Sequence, residues 1–205
     1  MVKVLVGLGN PGSKYEFTRH NLGFLVLKSL AHKHGWAFKE EKRFSAQIAE
    51  GKIGDCKIAL LLPMTYMNLS GQAVKPYLAT QGLSPDDLVV VTDDIYLEYG
   101  QMRFRTEGTA GGHKGLKSIE AHLGTLNYPR LRLGIGQGPA GMPLEEYVLN
   151  LFSQAELADL PPFLERATTA LKLIALAADP KEVISGINSK TDPVKDQENK
   201  KHEST

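Results

Sequence analysis

Several things are scarce in this chain, and each scarcity excludes a class of protein. Cys56 is the only cysteine in 205 residues. An internal disulfide framework is therefore impossible, a reducing compartment fits, and Cys56 reads as a small buried hydrophobe. No apolar run approaches the roughly eighteen residues of a membrane span, and no signal peptide opens the chain. A soluble, cytoplasmic protein without a membrane partner is expected. Charge of one sign is also lacking: 24 Lys and Arg face 23 Asp and Glu, a formal net charge of +1. With no global basic field, any contact with nucleic acid needs a local patch. Neither an internal repeat nor a linker marks off a second domain, and a chain of this length with 42% hydrophobic residues can bury one proper core.

What is present alternates between strand and helix. Val2, Val4 and Val6 form a short β-branched run that glycines and Pro11 end abruptly. Asn21 is an expected N-cap, with Leu22, Leu25, Val26 and Leu30 at helical spacing until Gly35. Ser45 to Glu50 and Lys57 to Leu62 read as strands, the second apolar enough to be buried on both faces. Ser70 is an expected cap for a helix running to Gly82. Leu88 to Asp94 is a buried strand ending in two acids, and Gln101 to Arg105 an exposed one. After the glycine-rich stretch from Thr106 to Gly115 come a helix through Leu116, Ile119 and Leu123 and a strand at Leu131 to Gly136. Two helices, Ser153 to Leu160 and Pro162 to Ala178, follow. The pattern predicts an α/β fold: one three-layer sandwich domain, residues 1–188, with a mixed, mostly parallel central sheet flanked by helices. The sheet must be mixed because Gln101 follows its preceding strand too closely for a crossover helix. Residues 189–205 are polar, charged and expected to be a disordered tail.

The loop from Gly7 to Asn21 leaves a strand at its carboxyl end, where open α/β sheets bind ligands. Gly7, Gly9 and Gly12 match the G-x-G-x-x-G of dinucleotide folds, but three features oppose that reading. Pro11 removes an amide where a pyrophosphate needs one. The helix starts about nine residues after Gly12, so no helix N-terminus faces the loop. The residues from Lys28 to Lys33, where a ribose-binding acid belongs, hold no carboxylate.

The polar residues at the strand ends suggest another chemistry. His20 lies in the first loop, Asn68 after the second apolar strand, Asp93 at the end of the next and His113 in the glycine-rich loop. If they converge, they supply a base, a carboxylate to orient it and amide donors for an oxyanion, with no serine or cysteine serving as nucleophile. That set suits water attack on an ester or amide. No metal site is expected, because no ligand pair has helical metal spacing and amides are poor ligands. The bland alternatives are a capping or packing role for His20, an Asp93–Arg19 ion pair, and a structural hydrogen-bonding role for His113.

Motifs spread over the chain carry a resemblance. They are Gly7-Leu-Gly-Asn-Pro-Gly12 with Thr18-Arg-His-Asn21, Thr65-Tyr-Met-Asn-Leu-Ser-Gly71, Asp93, Gly111-Gly-His113 with Gly115-Leu-Lys117, and Arg130-Leu-Arg-Leu-Gly-Ile-Gly136. In order from Val2 to about Asn188, they resemble bacterial peptidyl-tRNA hydrolase. The resemblance implies a monomeric α/β enzyme without metal or organic cofactor. Its reaction is hydrolysis of the ester between a peptide and the 3′-terminal ribose of tRNA, which recycles tRNA from prematurely released peptidyl-tRNA. By the same resemblance His20 is the catalytic base and Asp93 its orienting carboxylate. Asn10 and Asn68 hold the substrate's end and the oxyanion, and Tyr15, Tyr66 and Met67 line the cleft. His113 and Lys114 face the substrate, and Arg105 and Arg132 grip the tRNA 5′-phosphate beside the acceptor stem.

From Gln101 to Gly134 the chain sets Arg103, Arg105, Lys114, Lys117, Arg130 and Arg132 against only Glu107 and Glu120, a local basic patch. One departure stands out: Lys114 occupies a position where the family usually has asparagine. Some relatives are RNA-binding splicing factors that keep the fold and lose hydrolysis, so a non-catalytic RNA-binding protein is the alternative. Joint retention of Asn10, His20, Asn68 and Asp93 favours the enzyme.

Overall fold

Val4 and Val6 point to one side of the first strand and Leu5 to the other, and all three are fully buried, so that strand must lie between two helical layers. In a computed structural model, which describes residues 2–189, this is the arrangement found. The elements in order are β1 (Val2–Gly7), α1 (Leu22–His34), β2 (Lys39–Glu41), β3 (Ala46–Ile53), β4 (Cys56–Pro63), α2 (Ser70–Gln81) and β5 (Leu88–Asp94). Then come β6 (Met102–Glu107), α3 (Lys114–Leu123), β7 (Asn127–Gly134), α4 (Leu144–Leu149), α5 (Gln154–Leu176) and α6 (Ile184–Asn188). The tail expected to be disordered lies, apart from Ser189, outside the described residues.

The strands form one seven-stranded sheet in the order β2-β3-β4-β1-β5-β7-β6. Its centre, β4-β1-β5-β7, is parallel, and both margins are antiparallel. The short link from β5 to β6 leaves no room for a crossover, and β6 accordingly turns back against β7, as expected. Leu5, Val89 and Val91 pack with residues of α1 and α5 on one face, while Val4, Val6 and Val90 pack with α2 and α3 on the other. Burying each such side chain contributes roughly 1.5–3 kcal/mol, and together they fix the position of β1 and β5 at the centre. Because β1, β4 and β5 run in parallel, the loops that leave their carboxyl ends share one edge of the sheet.

Four local expectations change. The two expected helices after Ser153 are one, α5, which runs through Pro161 and Pro162. Leu160, Phe163, Ala167, Leu171 and Ile174 keep one buried stripe across the prolines, so burial holds the helix where local propensity would break it. Asn21 stands before α1 but makes no capping bond. Ser70 is the first residue inside α2, and its hydroxyl donates to the Met67 carbonyl at 2.8 Å. The basic patch loses Arg130, which is 1% exposed. Its guanidinium donates to the Thr109 and Leu126 carbonyls at 3.3 and 2.7 Å and pairs with Glu120. It therefore ties the glycine-rich loop and α3 to β7 and faces no solvent.

Candidate active site

Gly7 and Gly9 owe their place to packing. A Cβ on Gly7 would lie 2.5 Å from the Gly23 carbonyl oxygen of α1, and one on Gly9 would lie 2.6 Å from the Phe24 ring. The glycines let α1 approach β1, which accounts for their likeness to a phosphate loop without any phosphate. The chain between them and α1 then doubles back, and Asn21 clamps it. Asn21 Oδ1 accepts from the Asn10 N–H at 2.8 Å, and Asn21 Nδ2 donates to the Asn10 carbonyl at 3.0 Å. This use of the side chain explains the missing cap.

Asn10 is itself oriented. Its Oδ1 accepts from the Met67 N–H at 2.9 Å, so its carbonyl end is occupied and its amide nitrogen is left as the donor for anything in the adjacent cavity. His20 sits on a short turn, Arg19–Asn21, held on its other side by Arg19. That guanidinium meets Glu156 at 2.6 and 3.2 Å, donates to the Leu151 carbonyl at 2.8 Å and lies over the Tyr147 ring. The alternative Asp93–Arg19 pair is therefore not formed; Arg19 joins the His20 turn to α4 and α5.

Asp93, 3% exposed at the end of β5, receives two imidazoles. His20 Nδ1 lies 3.0 Å from both carboxylate oxygens, and His113 Nε2 lies 3.0 Å from Oδ1. The tautomers follow from hydrogen-bond bookkeeping. His113 Nδ1 accepts from the Gly115 and Leu116 N–H groups at 3.2 and 3.3 Å as the N-cap of α3, so its proton is on Nε2, directed at Asp93. A carboxylate only accepts, so His20 Nδ1 must also carry a proton. In the neutral imidazole that leaves the lone pair on Nε2, which has no partner among the described residues. Burial pushes the Asp93 carboxyl up, but the attraction and hydrogen bonds of the two histidines outweigh it and hold the group well below the usual carboxylate range. Burial holds the His113 imidazole below its ordinary value, against the opposing pull of Asp93. His20, Asp93 and His113 do bring three possible metal-ligand atoms within 4.8 Å of one another. Two of those atoms are the protonated nitrogens of the network, so a metal would have to displace both N–H protons.

Above this trio opens a cavity of about 610 Å³. Asn10, His20, Tyr66, Met67, Asn68, Asp93, His113, Lys114 and Arg132 all border it, so the structure gathers nine of the eleven expected residues. Two lie elsewhere. Tyr15 belongs to the turn Ser13–Tyr15, carried outward where Gly12 takes a φ of 105°. Arg105 is exposed on β6, in register with Arg130, and no partner holds it among the described residues. Arg132 lines the cavity with Nε 2.8 Å from Asp94 Oδ2. Sequence reasoning missed the opposite wall, formed by Leu144, Glu145, Val148 and Leu149 of α4. A signal for it existed: Pro143 followed by Glu145 and Glu146 is a helix start. Lys114, at the first position of α3, reaches across to that wall and bonds Glu145 Oε1 at 2.6 Å.

The comparisons with known proteins agree with one another. The sequence model of the family described as Peptidyl-tRNA hydrolase matches residues 4–196. Peptidyl-tRNA hydrolases of an Exiguobacterium species and of Shouchella clausii are 47% and 46% identical to this chain. They cover 82% and 83% of it and 91% and 92% of their own lengths. The crystal structure of peptidyl-tRNA hydrolase from Acinetobacter baumannii superposes with a TM-score of 0.85 at 34% identity, covering 92% of this chain and 95% of that one.

Proposed function

This chain belongs to the peptidyl-tRNA hydrolase family and is a hydrolase of peptidyl-tRNA, and from that premise we propose that His20 is the general base of the reaction and Asp93 the group that fixes its tautomer. The non-catalytic RNA-binding alternative has no support in these relatives. The observation that carries the assignment is the double acceptance at Asp93. Because His113 is locked as an Nε2 donor, the carboxylate must take the Nδ1 proton of His20, and Nε2 becomes the basic nitrogen.

Water held at Nε2 loses a proton to it as its oxygen bonds to the ester carbonyl carbon. The carbonyl oxygen becomes an oxyanion, and the Asn10 amide, whose donor end is free for the cavity, together with Asn68 stabilises it. Asp93, ionised and buried, stabilises the imidazolium formed in this step. When the oxyanion collapses, the bond to the ribose oxygen breaks and that oxygen takes the proton back from Nε2. The products are a tRNA with a free terminal hydroxyl and a peptide carboxylic acid, which loses its remaining proton to solvent and leaves as the carboxylate. The apolar wall of Met67, Leu144, Val148 and Leu149 suits peptide side chains. Tyr66, exposed on the rim, offers a ring against which a terminal base can stack.

Arg132 at the cavity and Arg105 farther along the same sheet margin are assigned to the phosphate of the acceptor stem. Tyr15, which does not border the cavity, is assigned a contact to the tRNA body. No metal or cofactor takes part in this scheme. No helix among the described residues is long and apolar enough to cross a membrane. The further reading is of a cytoplasmic monomer whose catalytic domain spans residues 1–188. Replacement of His20 with Ala tests the central claim: turnover of peptidyl-tRNA should fall by roughly 10²–10⁴-fold while tRNA binding persists. Near-normal turnover would refute it.

A further inference from the structure

The cavity has buried polar residues, Asn10, His20 and Asp93, and exposed residues among its lining. On one side stand Gly111, Gly112 and Lys114, on the other Leu144 and Glu145. Among the described residues, Lys114 Nζ to Glu145 Oε1 is the hydrogen bond that joins α3 to α4. Both side chains are exposed, 56% and 75%. Each partner is misplaced in one respect, Lys114 for its helix and Glu145 for the substrate, although Glu145 suits the first turn of α4. A cation at the first position of α3 opposes that helix's dipole. A carboxylate on the rim repels the polyanion that must reach His20. Paired, each masks the other.

We propose that Lys114 and Glu145 form an exchangeable clasp across the cavity mouth, from which a backbone phosphate near the single-stranded 3′ end of the substrate takes Lys114 as it is admitted. Glu145 thereby sets the threshold for substrate binding. The inference rests on the functional reading given above, because it takes the nucleic-acid end of the substrate to pass this rim. The clasp suits exchange because an exposed ion pair is weak enough for a phosphate to replace, and because both its residues border the cavity that His20, Asp93 and His113 line. Exchange has a particular salt signature. An ordinary lysine–phosphate contact releases a bound cation and steepens the salt dependence of affinity. Here the freed Glu145 recruits a cation as the phosphate sheds one, so the Lys114 contact adds little to the slope.

The test is the dissociation constant for intact peptidyl-tRNA, measured at two salt concentrations in the His20→Ala background, where the substrate should survive. Adding Glu145→Gln should tighten binding about two- to five-fold at low salt and steepen the logarithmic salt slope by about 0.7–0.9. Adding Lys114→Gln should weaken binding while leaving the slope nearly unchanged. Unchanged affinity and slope in the Glu145 variant would overturn the clasp, as would a Lys114 variant whose slope flattens by one full phosphate contact. Hydrolysis of the substrate by His20→Ala itself would instead refute the functional reading, and the clasp with it.

Discussion

Replacing Asp93 with Asn changes one oxygen to NH₂ at nearly constant shape, yet the network of the site turns that change into a conflict. His113 cannot alter its tautomer, since two backbone N–H groups of α3 already donate to its Nδ1. The Oδ1 position must therefore remain an acceptor, and the new NH₂ must take the Oδ2 position, 3.0 Å from His20 Nδ1. His20 Nδ1, 3.0 Å from both positions, then faces a donor at one and must share the other, Oδ1, with His113. His20 keeps its tautomer only by leaning onto that shared oxygen; otherwise it surrenders its Nδ1 proton, which places it on Nε2 and abolishes the lone pair, or swings away from the aligned position. A hydrogen bond to a charged group is worth about 1.5–3 kcal/mol and a buried donor left unmatched costs about 1–3 kcal/mol. Together they amount to roughly 2.5–6 kcal/mol, or about 10²–10⁴-fold in kcat/KM. The assay is steady-state hydrolysis of peptidyl-tRNA. A second substitution sharpens it: Asp93→Asn with His113→Ala frees the amide to turn its oxygen toward His20, and should recover at least about tenfold over Asp93→Asn alone. A loss below tenfold in the single variant, or no recovery in the double, would refute the tautomer argument.

Two further outcomes follow from the same geometry. Arg105→Ala and Arg132→Ala should each raise KM and flatten its salt dependence by about 0.7–0.9, with Arg105 the simpler case because Arg132 also carries an ion pair to Asp94. Equal slopes in parent and variants would remove both from the phosphate contact. Acid should lower stability over two pH windows. The folded His113 imidazole lies below its ordinary 6.5, so the unfolded chain binds that proton more readily. Its contribution is complete above pH 6.5 and declines as pH falls. Asp93, depressed from 3.8, adds a second loss below that value. Melting temperature against pH should be flatter in His113→Gln than in the parent as pH falls below 6.5, and parallel curves would show that His113 is not responsible.

The sequence by itself determined the layered α/β fold, because the apolar runs at Ile58 to Leu62 and Leu88 to Val91 can only be satisfied by helices on both faces. It also placed His20, Asn68 and Asp93 at strand ends, where position in an open sheet already implies a site. Their family motifs named that site as a hydrolase's. Side-chain partnerships were beyond it, since they depend on what the fold brings near. Asn21 and Ser70 have the composition of helix caps, but Asn10 across the loop took the Asn21 side chain and the Met67 carbonyl, three residues back, took that of Ser70. Arg130 belongs by composition to a basic patch, yet register and burial turned it inward. The unbroken α5 reflects the same override, a buried stripe prevailing over two prolines. The tautomers of His20 and His113 rest on contacts to Asp93 across 73 and 20 positions, and the Lys114–Glu145 bridge, which reaches the far wall of α4, spans 31. Only tertiary structure decides them, because hydrogen-bond direction and charge pairing are set by distance in space, and periodicity along a chain carries no information about it.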